Sequence, residues 1–99
     1  MNILSESNIN VINFLGGFQK YNKNVKYRFC KNIVKVDLID RVLLYNSLTG
    51  AVVSLFNFEY NDLERDIPCD YLTFLYANYF LVREDFNEIE VTDLYRANN

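Results

Sequence analysis

The stretch Arg41-Val42-Leu43-Leu44-Tyr45-Asn46-Ser47-Leu48-Thr49-Gly50-Ala51-Val52-Val53-Ser54-Leu55 constrains the fold more than any other part of the chain. Two short apolar runs flank a polar loop that ends in glycine, which predicts a β-hairpin with arms 41–46 and 51–56. Gly50 is expected in the positive-φ position that closes the loop. Apolar residues occupy both parities of the arms, so cover on both faces is expected.

The residues around this hairpin predict its neighbours. Val25-Lys26-Tyr27-Arg28-Phe29-Cys30-Lys31 alternates apolar and basic residues, the period of a half-buried strand, and 32–37 either continues it or forms a second one. After the hairpin, Asn57 is placed to cap a helix over 58–65. Asp66-Ile67-Pro68 ends that helix, because proline disfavours helical backbone in the residue before it. A second helix is expected from Pro68 to Asn78, with Leu72, Leu75, Tyr76 and Tyr79 as its buried stripe. Phe80-Leu81-Val82 reads as a short strand, and Asp85 as the cap of a third, acidic helix reaching Ala97. The expected class is therefore α+β, winged helix-turn-helix-like, with a three-stranded antiparallel sheet followed by three helices. Residues 1–24 read as an N-terminal extension, a short helix over 7–15 and then a linker broken at Gly16-Gly17, and 25–99 as the domain itself.

Composition removes most chemistry. The chain of 99 residues has room for one domain, and half its residues are apolar, including eight Tyr and eight Phe. It contains no histidine, the commonest general base and metal ligand. Cys30 and Cys69 stand alone, without the second pair that a zinc or iron–sulfur site needs, and read as small apolar residues. No phosphate-cradling glycine loop is present. No cofactor and no catalytic residue are expected. The absence of a long apolar run and of a basic, apolar leader argues against a membrane span or secretion, and for the cytoplasm. Charge is divided unevenly. Residues 1–35 carry six basic residues against Glu6, a net of +5, while residues 36–99 carry four arginines against twelve carboxylates, a net of −8. The acidic third helix argues against a role on nucleic acid, since such a helix would have to approach phosphates.

Three blocks in order carry a resemblance. Lys26-Tyr27-Arg28-Phe29, then Leu43-Leu44-Tyr45-Asn46-Ser47-Leu48-Thr49-Gly50-Ala51, then Phe80-Leu81-Val82-Arg83-Glu84-Asp85 with Asn87-Glu88-Ile89 resemble the PqqD-like RiPP recognition element found at the N-terminus of radical SAM peptide maturases. The resemblance spans residues 26–96, and the Cys-x-x-x-Cys-x-x-Cys motif of those maturases is not in this chain. It implies a non-catalytic module that binds the leader of a precursor peptide by strand addition and delivers it to a radical SAM enzyme, in cis or in trans. The implied peptide-binding residues are Ala51, Val52, Val53, Ser54 and Leu55 on the edge of the third strand, with Phe86, Ile89, Glu90, Asp93, Leu94 and Ala97 on the third helix. The carboxylates of that helix imply a basic leader with apolar anchors. Two other classes compete with this one: a protein-interaction or inhibitor domain, and a small winged-helix DNA-binding regulator.

Overall fold

The computed structural model describes residues 1–65, 67 and 69–86. Its elements are β1 (Asn2–Ser5), α1 (Ile9–Phe14), β2 (Tyr27–Phe29), β3 (Ile33–Asp37), β4 (Arg41–Asn46), β5 (Val52–Phe56), α2 (Asn57–Glu64), α3 (Leu72–Ala77) and β6 (Leu81–Arg83). A four-stranded antiparallel sheet runs in the order β1-β5-β4-β3, and β2 pairs with β6 in a separate two-stranded ribbon.

This architecture corrects the three-stranded winged-helix expectation. The basic strand around Tyr27 leaves the main sheet for β6, with Tyr27 opposite Arg83 and Phe29 opposite Leu81. Its place beside the hairpin is taken by β3, whose Val34 faces Tyr45 and whose Val36 faces Leu43. The fourth strand comes from the chain's first residues: Asn2 lies opposite Ser54 and Ile3 opposite Val53, with a register shift before Ser5. The third helix expected over 85–97 lies outside the described residues apart from its first two positions. Of these, Asp85 is in a turn and Phe86 is non-helical.

The central hairpin forms as its residues require. The Asn46 amide donates to Ala51 O at 2.8 Å and the Gly50 amide to Asn46 O at 2.8 Å, while Gly50 adopts φ 83°. Asn46 itself is wholly buried. Its Oδ1 accepts from the amides of Leu48 (2.9 Å) and Thr49 (3.1 Å), and its Nδ2 donates to the carbonyls of Asn78 (3.3 Å) and Tyr79 (3.0 Å). One side chain thus shapes the loop and ties it to the turn after α3. Tyr79 holds that turn at φ 64°, an uncommon value for a side-chain-bearing residue, and its hydroxyl donates to Gly17 O (2.7 Å) and Leu15 O (3.2 Å).

The inner face of the sheet carries the core. Leu44, Val53 and Leu55 meet Leu63 of α2, Leu72 and Leu75 of α3, and Phe80 and Leu81 beyond them. A smaller cluster joins Ile12 of α1 to Cys30, Tyr79 and Val82. The expected stripe of Leu72, Leu75, Tyr76 and Tyr79 is buried, although α3 spans only 72–77 and Tyr79 belongs to the turn. On the outer face of the arms the expected cover is partial: Ser54 is buried and Leu43 and Val52 half-buried, while Tyr45 and Phe56 remain 41% and 46% exposed.

Helix caps also moved. Asn8 caps α1, its Oδ1 accepting from the Asn10 amide at 2.9 Å, and α1 ends ahead of Gly16 and Gly17, both at positive φ. At α2 the cap position is Phe56, which has no polar side chain, and Glu59 closes the turn by accepting from the Phe56 amide at 2.9 Å. Glu59 is buried and its other oxygen meets the Met1 ammonium at 2.9 Å. Burial alone would raise this carboxyl, but hydrogen bonds from the ammonium and the Phe56 amide, with the ammonium's charge, outweigh it and hold it below the ordinary glutamate value. A carboxyl lowered in the folded state stabilises above its unfolded pKa, and that stability is lost as the pH falls through the folded value. Glu59→Gln is therefore expected to cost about 1–2 kcal/mol at pH 7 and to make unfolding less steeply acid-dependent below about pH 4.5. Urea titrations of both proteins across that range measure it. Parallel pH profiles would show that Glu59 contributes nothing to acid sensitivity.

Candidate functional site

The sheet ends in two edge strands, β1 and β3, and the outer edge of β3 is the candidate site. Its alternation has a simple origin: Val34-Lys35-Val36-Asp37 puts apolar side chains on the outer face and charged ones on the inner face. Residues 39 and 40 turn the chain, the Leu38 amide donating to Arg41 O at 2.8 Å, and the Ser47 amide donates to Asn32 O at 3.0 Å. In an antiparallel ladder bonded pairs alternate with non-bonded ones, so Val34 and Val36 direct their peptide groups at β4. Lys35 and Asp37 direct theirs away from the sheet. Among the described residues neither takes a backbone partner on that side.

The side chains along this edge form a graded wall. Lys35 Nζ lies 3.3 Å from Asp37 Oδ1 and 4.4 Å above the centre of the Tyr60 ring. Partial desolvation would lower the Lys35 ammonium, but Asp37, Tyr60 and Glu64 together hold it above its ordinary value. Burial, with help from Glu64, pushes the Tyr60 hydroxyl upward as well. Tyr60 stacks on Phe29 with centroids 5.7 Å apart. Beside them a cavity of about 460 Å³ is lined by Tyr27, Arg28, Phe29, Leu63 and Glu64. An extended segment laid along β3 would find backbone partners at Lys35 and Asp37. Its alternate side chains would fall on Val34 and Val36 or toward the Lys35–Tyr60 wall. Lys35 and Asp37 also deter indiscriminate pairing, since inward-pointing charge is a common guard of sheet edges.

The residues expected to bind peptide are distributed differently. The edge of β5 that was to receive a strand is occupied by β1, because Asn2 and Ile3 pair with Ser54 and Val53. Ala51, Val53, Ser54 and Leu55 are buried and Val52 is half-buried, so this strand is interior to the sheet. Phe86 packs toward Tyr79, centroids 6.2 Å apart, against the small cluster of Ile12, Cys30 and Val82. Its carbonyl accepts from Arg28 at 2.8 Å. Ile89, Glu90, Asp93, Leu94 and Ala97 lie outside the described residues. The alternation in 32–37 shows a strand but not that it ends the sheet, so the β3 edge is not legible from the sequence. Ile39-Asp40, which joins β3 to β4, carries neither the glycine nor the Asn-Gly or Asp-Gly pair that marks a two-residue hairpin loop.

Cys30 is buried and Cys69 half-buried, neither forms a disulfide, and burial pushes the Cys69 thiol up. Among the described residues no group of three His, Cys, Asp or Glu could hold a metal, and no helix is long and apolar enough to cross a membrane. Comparison with family models, with curated proteins and with solved structures finds no match, so the reading of this site rests on its own geometry.

Proposed function

We propose that the chain is a non-catalytic polypeptide-recognition module that receives an extended segment at the outer edge of β3. The observation that carries this reading is the pair of outward-facing peptide groups at Lys35 and Asp37, without a backbone partner among the described residues and flanked by exposed Val34 and Val36. Strand addition draws its affinity from backbone hydrogen bonds and its selectivity from side-chain pockets, and the cavity beside Phe29 and Glu64 offers one. Ordering a flexible peptide opposes binding, which sets an affinity near the micromolar scale, about −8 kcal/mol. Within this reading the occupant is the leader of a precursor peptide and the protein served is a radical SAM maturase, in cis or in trans. The residue blocks resembling the recognition element support that choice of occupant. Tethering the leader would raise the effective concentration of the segment to be modified.

Peptide display against the whole chain, followed by amide hydrogen exchange, is the direct test. Selected peptides are expected to slow exchange at Lys35 and Asp37. Lys35→Pro removes an outward amide without breaking the β3–β4 ladder, so it is expected to weaken those peptides roughly tenfold while the protein stays folded. Protection confined to β1 or β5, or full affinity in the folded variant, would remove the β3 edge from consideration.

A further inference from the structure

We propose that the groove walled by residues 19–27 is a second binding site, which takes an acidic, extended polypeptide segment. Two adjoining cavities make the groove. One, of about 600 Å³, is lined by Tyr21, Lys23, Val25, Lys26, Tyr27, Cys69 and others; the second, of about 670 Å³, adds Lys20, Tyr76 and Arg83. Tyr21, Lys23 and Val25 line both, so the two cavities adjoin along these residues.

The wall that carries the charge is held in place by its neighbours. Gln19 donates through Nε2 to Tyr76 O (2.7 Å) and Leu81 O (3.1 Å), and its amide reaches Ala77 O at 3.3 Å. The Asn22 side chain accepts from the Asn24 amide at 3.0 Å, and the Val25 amide donates to Asn22 O at 3.1 Å. Tyr21 sets its ring edge-on to Tyr76, centroids 6.1 Å apart. This anchored turn presents Lys20, Lys23 and Lys26, all exposed, and among the described residues none of the three makes an ion pair. Arg83 adds a fourth cation, although Asp85 engages it at 3.2 Å, and Glu84 is the one carboxylate among the described residues of the lining. Exposed ammonium groups around a concave, half-apolar surface attract anions and hold them near Tyr21, Val25 and Leu72.

Carboxylates suit the groove better than nucleotides do. Binding of single-stranded nucleic acid depends on open aromatic faces for its bases. Here Tyr21 is engaged with Tyr76, and Phe29 at the end of the same segment is stacked on Tyr60. The protein as a whole is acidic, with net charge −3, so a long polyphosphate meets repulsion beyond the local patch. A short run of Asp and Glu stays within the local patch, where Lys20, Lys23, Lys26 and Arg83 outnumber Glu84 among the described residues.

Fluorescence anisotropy of the full chain with labelled decaglutamate tests this, with a labelled Gly-Ser peptide and a thymidine decanucleotide as comparators. Decaglutamate is expected to bind, and to weaken roughly tenfold when salt rises from about 0.02 M to about 0.2 M. The triple variant Lys20→Gln/Lys23→Gln/Lys26→Gln changes only exposed side chains and should unfold at the parent temperature while losing roughly tenfold in affinity. Lys35→Pro should leave decaglutamate binding unchanged, which separates this site from the β3 edge. Absence of binding, full affinity in the triple variant, or equal or tighter binding of the thymidine strand would each overturn the proposal.

Discussion

Val53→Pro is expected to abolish cooperative folding. The hairpin loop fixes the phase of the β4–β5 ladder: the Asn46 amide reaches Ala51 O, so the next bonded pair is Leu44 with Val53. The Val53 amide therefore points into the sheet, between two strands, and its side chain is fully buried. Proline there removes a central ladder bond and forces its ring against the neighbouring backbone, at a cost of about 3 kcal/mol or more before any loss of packing. Against a domain stability of roughly 5–15 kcal/mol, with β1 depending on the same strand, the folded state is not expected to survive at 37 °C. Far-UV circular dichroism with a thermal scan decides it. Lys35→Pro supplies the contrast, because the same substitution on the outward phase of an edge strand should leave a sigmoidal melt. A folded Val53→Pro would mean that β5 is not interior to the sheet.

Asn46→Ala has the next largest expected effect. Four hydrogen bonds converge on this buried side chain, two accepted from the loop amides and two donated to the carbonyls of the turn at Tyr79. Alanine strips partners from groups that water cannot reach, at about 1–3 kcal/mol for each one left unsatisfied. Some relaxation is expected, so a total of about 3–4 kcal/mol is reasonable, and a fall in melting temperature of roughly 15–25 °C for a domain of this size. Asn46→Asp sharpens the test. It keeps the acceptor but sets a carboxylate against two carbonyls, so its folded pKa rises and stability should recover as the pH falls. A loss below about 1 kcal/mol for Asn46→Ala would show that solvent replaces these bonds.

These two residues show where sequence reading succeeds. The run from Leu43 to Ala51 was legible because its signals are local: alternating apolar arms, an Asn that bonds to its own loop, and a glycine at positive φ. The break at Gly16-Gly17 and the buried positions of α3 were legible for the same reason. The fold class was not. Asn2–Ser5 is four residues long and exposed throughout, so it carries no periodicity that distinguishes a strand from a loop. Tyr27–Phe29 does alternate, but alternation says that a strand exists and not which strand it joins.

What this chain's residues settle unaided is therefore its local punctuation: the hairpin at Asn46–Gly50, the breaks in helices, and the absence of histidine. Only the tertiary structure decided that β1 covers β5, that Tyr27–Phe29 leaves the sheet for β6, and that β3 becomes one of the sheet's two edges. The physical reason lies in what selects a strand's neighbour. Pairing between distant segments is chosen by burial of one shared core, and backbone hydrogen bonds are nearly indifferent to the side chains they join.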